Sequence, residues 1–290
     1  MSPRLRLLAP AKVNLTLEVL GTRADGYHEF ASVMATVDLC DDVRVGPARG
    51  LDVRISPDVG AAAGDELASR AVRAMAAACG REPAAHVNVR KRIPVAAGLG
   101  GGSSDAGAVL RALADLWRCE TDVASVAASV GSDVPFFAAG HPIARIRGRG
   151  EHVSPLPAPT HPIWIALVTL PARSATRDVF AAHGDARGDG RATDRLARLF
   201  ADRTATPAAI RALARNDLTA AAERMCSLVA GARAAGVARG IELVVSGSGP
   251  SLFAIADDRA HAIRMSRSLR RAGLRARPYA LAITTELLRA

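Results

Sequence analysis

Between Pro94 and Asp105 the chain places four glycines in five positions, Gly98, Gly100, Gly101 and Gly102. Such a run leaves backbone N–H groups uncovered by side chains, free to converge on one anion. An amphipathic helix follows, expected to begin near Ser103, with Ala106, Val109, Leu110, Leu113 and Trp117 on one stripe. The helix N-terminus adds unpaired amides and partial positive charge, so the segment Pro94, Val95, Ala96, Ala97, Gly98, Leu99, Gly100, Gly101, Gly102, Ser103 and Ser104 suits the phosphates of a nucleotide. It is not a Walker loop: the G-x-x-x-x-G-K-[ST] spacing is absent and no lysine lies inside it. The ordinary alternative is a tight turn before a helix capped by Ser103 or Ser104. A turn needs one or two glycines, not four, because each costs backbone entropy on folding.

Other residues carry chemistry less distinctly. Lys12 and Asn14 alternate with Ala11 and Val13, so they share the strand face opposite the core-directed pair. Lys12 and Lys91 are the only lysines among 38 basic residues, which suggests a compact point charge at Lys12; a solvated strand lysine is the usual explanation. Asp133 lies in a loop just past a helix end and before Pro135, where most aspartates cap a helix or shape a turn. Tyr27 is one of two tyrosines and stands beside His28 after Asp25-Gly26, a pattern that also fits a hairpin turn and a packing aromatic. Phe180 reads equally as a core aromatic. Gly247 and Ser248 sit in Ser246-Gly247-Ser248-Gly249-Pro250-Ser251, which permits close backbone approach or simply turns a hairpin.

These residues must be held by a mixed framework. With 290 residues, 49% of them hydrophobic, the chain is large enough for two domains. Strands are expected at Ala11–Leu20, Val33–Leu39, Val43–Val45, Val53–Ile55, His86–Val89 and Ile163–Leu170. Helices are expected at Glu66–Cys79 and at Asp122–Val130, the latter opened by Thr121. Residues 181–215 read as helical with a loose segment at 184–190, and 243–256 as strand, glycine turn, strand. Pro155, Pro157, Pro159 and Pro162 mark a linker, dividing the chain into 1–157 and 158–290. Four separated cysteines without a C-x-x-C pair argue against a zinc site or a disulfide and fit a reducing cytosol. No signal sequence or membrane span is expected. The net charge of +10 permits anionic ligands, but aromatics are only 3%, and the Arg90-Lys91-Arg92 cluster is better placed to serve a nucleotide at the adjoining loop, or is solvated. Asp105, at the helix start, is favoured there by the dipole alone.

Three segments in order, Ala9-Pro10-Ala11-Lys12-Val13-Asn14, Pro94 to Asp105, and Ser246 to Ser251, resemble the three motifs of the GHMP kinase superfamily. Within it, Arg23-Ala24-Asp25-Gly26-Tyr27-His28-Glu29 and Gly131-Ser132-Asp133-Val134-Pro135-Phe136-Phe137 are similar to the branch of 4-diphosphocytidyl-2-C-methyl-D-erythritol kinases, over about residues 8–255. The resemblance implies an α+β GHMP kinase fold, with a ribosomal protein S5 domain 2-like N-terminal domain and a ferredoxin-like α/β C-terminal domain. It implies transfer of a phosphoryl group from ATP to the substrate's 2-hydroxyl, in non-mevalonate isoprenoid precursor synthesis. Asp133 then matches the family's catalytic aspartate, paired with Lys12, and Asn14 helps hold the substrate. Tyr27 matches the residue that stacks on cytosine, His28 the one that hydrogen-bonds its edge, and Phe180 a second aromatic, with Thr176 one turn earlier as a contact. The 246–251 turn is expected to close over phosphates or the methylerythritol end, and Ser104 to reach Mg²⁺ or phosphate oxygens.

Mg²⁺ is expected to arrive with ATP and to keep several waters, with no protein cage. The chain departs from the family at Asp65-Glu66-Leu67, at Ala175-Thr176 and at Cys40. The expected enzyme is a cytoplasmic monomer or weak homodimer that binds small molecules, with neither nucleic acid nor membrane as partner. The alternatives are another small-molecule GHMP kinase, of homoserine or mevalonate type, and a basic nucleic-acid-binding protein reusing an S5-like domain.

Overall fold

The structure, a computed structural model, describes residues 4–24, 26–57, 65–184, 186–282 and 287–289. Asp25 and the 58–64 segment lie outside the described residues, as do the side chains of Asp65 and Glu66. In chain order the first half contains β1 (Leu5–Thr22), β2 (His28–Pro47), β3 (Asp52–Ser56), α1 (Asp65–Ala78), β4 (Ala85–Arg90), α2 (Gly101–Trp117), α3 (Val123–Val130), α4 (Val134–Ala138), β5 (Ile143–Arg147) and β6 (His152–Pro155). The second half contains β7 (Ile163–Thr169), α5 (Thr176–His183), α6 (Arg191–Ala201), α7 (Pro207–Leu213), β8 (Arg215–Asn216), α8 (Thr219–Met225), α9 (Ser227–Val237), β9 (Val244–Val245), β10 (Leu252–Ala256), α10 (Arg259–Arg271), β11 (Arg275–Leu281) and β12 (Leu287–Arg289).

The organising element is the antiparallel pair β1–β2, whose register shifts at Pro10/Ala11, Asn14/Thr16 and Val19/Gly21. Bulges of this kind bend and twist a long ribbon, so the two strands serve both halves of the molecule. The main sheet runs β12-β1-β2-β11-β7-β10-β9, with β4 and β5 also paired to β2. One core gathers Leu7, Val43 and Val89 under Val72 and Met75 of α1 and Val109 and Leu113 of α2. Another gathers Ala166, Val168 and Ala254 under Val229 of α9 and Met265 and Leu269 of α10. Between them Val13, Leu15, Val33, Ile165 and Phe253 join the halves.

Four local expectations change. Helix α2 begins at Gly101, not Ser103; its N-cap is Gly100 at φ 68°, with no side-chain cap bond, so neither serine caps it. Helix α3 is capped by Asp122, not Thr121: Asp122 accepts from the Ala124 amide at 3.0 Å. Lys12 and Asn14 share a face, but that face is not solvated, because other chain segments cover β1 on both sides; they are 3% and 0% exposed. Cys79 and Cys119 form a disulfide, with Cα atoms 5.9 Å apart. They follow the ends of α1 and α2, which pack side by side, so 40 residues of sequence separation gave no sign of their proximity. Two thiols remain free, Cys40 and Cys226, and the cysteines carry no argument for a reducing compartment.

Candidate active site

A cleft of about 870 Å³ opens between the halves. From β1 and the turn after it come Lys12, Asn14, Tyr27 and His28; from the glycine-rich segment, Pro94 to Gly98 and Gly100 to Ser103. Asp133 enters beside α4, Thr176 and Phe180 from α5, and Gly247 and Ser248 from the turn between β9 and β10. Residues more than 200 positions apart thus line one cavity.

The glycine segment is held from three sides. The Lys12 amide donates to the Leu99 carbonyl at 2.9 Å, the Ser174 amide to Ala96 at 3.0 Å, and the Ser251 amide to Ala97 at 3.2 Å. Ser246 Oγ donates to the Gly98 carbonyl at 2.9 Å. Gly98 has φ +74°, and a Cβ there would lie 2.2 Å from the Ser246 carbonyl oxygen and 2.8 Å from that of Gly249. Only glycine fits such an approach of two backbones. The 246–251 turn therefore clasps the loop, and Asn216 fixes that turn by donating to the Val245 and Gly247 carbonyls at 2.8 and 2.7 Å.

Two loop residues do not line the cleft. Leu99 is 1% exposed and belongs to the central core, anchoring the loop. Ser104 is 1% exposed, and it faces a separate cavity of about 20 Å³ bounded by Pro10, Thr36 and Phe137.

Asp133 occupies the N-cap position of α4 yet makes no capping hydrogen bond, so its carboxylate is left for the cleft. Its Oδ2 lies 3.6 Å from Lys12 Nζ, with the side chains 27% and 4% exposed. Lys12 Nζ also donates to Asn14 Oδ1 at 2.6 Å; Asn14 Nδ2 donates to Ser32 Oγ at 2.8 Å, and Ser32 Oγ to the Thr16 carbonyl at 2.6 Å. This buried chain fixes the ammonium at one point. Gly107 lets α4 approach α2: a Cβ there would sit 2.7 Å from Phe137 Cβ, so any larger residue would push Asp133 away from the loop.

At the other end, Tyr27 is 51% exposed, with the Arg149 guanidinium over its ring, 5.1 Å from the centre. The His28 and Phe180 rings stand 5.0 Å apart at 40°. Thr176 Oγ1 and Ser248 Oγ are 3.1 Å apart, and Ser174 Oγ donates to the Ser248 carbonyl at 3.0 Å.

The Arg90-Lys91-Arg92 cluster divides. Arg90 and Arg92 are exposed, but Lys91 is buried with its Nζ 2.5 Å from Asp41 and 2.6 Å from Asp105. Asp105 is therefore not an exposed dipole partner. Burial, reinforced by the Asp41 charge and opposed by Lys91, pushes its carboxyl up to about 8. Burial opposes the charge of Lys91, but attraction to Asp105 and Asp41 outweighs it and raises its pKa. Asp41 Oδ1 also accepts from the Arg92 and Ile93 amides, tying the entry of the loop to β2. Asp41, Asn216 and Arg149, another cleft residue, escaped the sequence reading. Asp41 is signalled only by paired acids in an apolar strand, and Arg149 only by flanking glycines.

The sequence matches the family model described as the GHMP kinases N terminal domain over residues 66–141, and the GHMP kinases C terminal model over 189–274. A 4-diphosphocytidyl-2-C-methyl-D-erythritol kinase of Dehalococcoides mccartyi is 41% identical over 201 residues, 66% of this chain and 69% of that one. The enzyme of that name from Symbiobacterium thermophilum is 37% identical over 276 residues, 90% of this chain and 93% of its own. A crystal structure of a 4-(cytidine 5'-diphospho)-2C-methyl-D-erythritol kinase superposes with a TM-score of 0.75 at 34% identity, covering 95% of this chain and 98% of the other. The chain belongs to the GHMP kinases and, within them, to the family of 4-diphosphocytidyl-2-C-methyl-D-erythritol kinases.

Proposed function

We propose that Asp133 and Lys12 carry out the phosphoryl transfer of this ATP-dependent kinase, from ATP to the 2-hydroxyl of 4-diphosphocytidyl-2-C-methyl-D-erythritol, in non-mevalonate isoprenoid precursor synthesis. The observation that carries the assignment is the 3.6 Å pair of a buried lysine and a part-exposed aspartate facing the same cleft as the glycine-rich loop. ATP lies with its phosphates on the amides of Gly98 and Gly100 to Ser103. The substrate's cytosine lies against Tyr27, with His28 at its edge and Phe180 on the far side, and Asn14, Thr176, Gly247 and Ser248 line the path to the reacting end.

In the transfer, the 2-hydroxyl oxygen attacks the γ-phosphorus as its proton passes to Asp133 Oδ2. The O–P bond to the β-phosphate breaks and ADP leaves. Lys12 holds the Asp133 carboxylate and presents positive charge to the developing alkoxide, while the loop amides take up charge on the phosphates. Mg²⁺ would offset phosphate charge when bound. Mg²⁺ that enters with ATP would keep several of its waters. We also infer a functional division at residues 1–157 and 158–290. The first part supplies the loop, Lys12 and Asp133, and the second supplies Thr176, Phe180, Gly247 and Ser248. No helix among the described residues is long and apolar enough to cross a membrane.

The test is ADP release with ATP, Mg²⁺ and 4-diphosphocytidyl-2-C-methyl-D-erythritol. Asp133→Ala is expected to lower kcat by about 10²–10⁴ with little change in KM, the range of a lost acid–base group. Tyr27→Ala is expected to raise substrate KM roughly tenfold to a hundredfold, as for one lost base–aromatic stack, with kcat nearly kept. An Asp133→Ala enzyme as fast as wild type sinks the catalytic assignment.

A further inference from the structure

Helices α1 and α2 leave the cleft together and are joined again at their far ends. Leu67, in the first turn of α1, lines the cleft, as do Gly101, Gly102 and Ser103, which open α2. The helices have 14 and 17 residues, so at 1.5 Å per residue they reach about 20–25 Å from it. Along the way Val72 and Met75 of α1 pack with Val109 and Leu113 of α2. Just past both C-terminal ends the Cys79–Cys119 disulfide closes the pair. At the near end, the Lys91 ammonium ties Asp105 in the first turns of α2 to Asp41 of β2.

The bond lies within reach of solvent, since both cysteines are half-buried. Cys79 is bordered by Ala77, Ala78 and Gly80, all exposed and all small. Among the described residues nothing comes within 4 Å of the place a Cβ on Gly80 would take. Cys119 instead follows the bulky Trp117 and Arg118. A thiolate arriving from outside therefore reaches Cys79 Sγ more readily, with Cys119 as the leaving sulfur.

We propose that Cys79–Cys119 is a thiol–disulfide exchange site, opened by a dithiol reductant, whose closed form binds ATP more tightly; the proposal rests on the placement of the ATP phosphates given above. One thiolate of the dithiol attacks Cys79 Sγ, the bond between the two cysteines breaks, and Cys119 leaves as a thiolate. The second thiolate of the reductant then displaces Cys79 from the mixed disulfide. Two electrons pass to the protein, whose two thiolates take up the protons given up by the reductant's thiols, and the reductant ends as a disulfide. With the bond closed, α1 cannot turn against α2, and Leu67 keeps its place relative to the loop amides. With it open, packing alone holds the far ends, and the nucleotide must order the pair as it binds.

The experiment equilibrates the full chain in mixtures of reduced and oxidised dithiothreitol. Alkylation with peptide mapping reads the state of Cys79 and Cys119, and titration calorimetry reads binding of the β,γ-imido analogue of ATP. The closed form is expected to bind the analogue at least about fivefold more tightly, the lower end of coupling between separate sites. Saturating analogue should then raise, by the same factor, the ratio of reduced to oxidised dithiothreitol that opens half the bonds. A bond that serves stability alone would not show this shift. Cys79→Ser should bind the analogue as the reduced wild type does, with no further change on adding dithiothreitol; if that variant does not fold, the wild-type titration decides by itself. A fall in Tm on reduction with unchanged analogue affinity overturns the proposal and leaves the ATP placement standing. An affinity change that persists in Cys79→Ser also overturns it, because it would come from Cys40 or Cys226, the free thiols. So does alkylation of both Cys79 and Cys119 in excess oxidised dithiothreitol. A closed wild type that binds no analogue overturns the ATP placement and the proposal with it.

Discussion

Lys12 and Lys91 are the two lysines of the chain, and both are buried against aspartate near the same glycine-rich loop. Their surroundings differ in two respects. Lys12 meets one carboxylate at 3.6 Å, and that carboxylate is 27% exposed to the cleft. Lys91 meets two, at 2.5 and 2.6 Å, and both are fully buried. The looser pair can exchange its contacts for a substrate hydroxyl because water already reaches one partner. The tighter cluster cannot, because separating its members would leave charge without solvent. On the function proposed above, identical side-chain chemistry serves a reacting pair in one place and a fastening in the other, and exposure of the acid distinguishes them.

The contrast is tested most strongly by replacing each lysine with methionine. Lys12→Met is expected to lower kcat by about 10²–10⁴, as for other positioned catalytic groups, with a modest loss of stability from the unpaired Asn14 carbonyl. Lys91→Met should do the reverse. It leaves Asp41 and Asp105 without their cation, which costs about 3–5 kcal/mol in buried sites, seen as a fall in Tm and in the denaturation midpoint. What enzyme stays folded should keep much of its kcat and show a raised KM for ATP, since Asp41 and Lys91 fasten the loop rather than touch the reacting atoms. If Lys91→Met loses turnover while keeping its Tm, the two lysines are not divided in this way.

The sequence carried the site further than it carried its supports. The loop stood out because its glycine spacing has a chemical reason, whereas Lys12, Asp133 and Tyr27 were singled out by their resemblance to family motifs; the structure brings all of them to one cleft. Asp41 was not singled out, because its meaning depends on Lys91 and Asp105, 50 and 64 positions away, meeting it across strand, loop and helix. The same holds for Cys79 and Cys119, which the parallel ends of two helices bring together. Local signals located the elements but not their outer faces. Alternation along β1 rightly paired Lys12 with Asn14, yet could not say that a second layer of chain covers that side. Helix α2 started early for a similar reason: Gly100 supplies the left-handed entry through backbone geometry, and a search for capping hydroxyls passes over it.

At Asp105 the expected effect depends on pH, and it separates the two lysine sites. Its carboxyl, pushed up to about 8, holds a proton in the folded chain at neutral pH, and Oδ1, buried with no hydrogen-bond partner, has room for it. The cluster then balances one ammonium against one carboxylate, Asp41. In the unfolded chain the same group titrates near 4. Its contribution to stability is therefore complete below about pH 4 and is lost as pH rises through about 8, because the unfolded state releases the proton first. Asp105→Asn keeps the shape of the protonated acid and removes the titration. Relative to wild type, the asparagine variant should gain stability steadily from about pH 4 to 8, by at most about 1.4 kcal/mol per pH unit, the slope of a single proton. Urea melts of both proteins across that range measure it directly. A variant less stable than wild type by a constant amount at every pH would mean that Asp105 is ionised in the fold, and that the Lys91 cluster carries an uncompensated negative charge behind the loop.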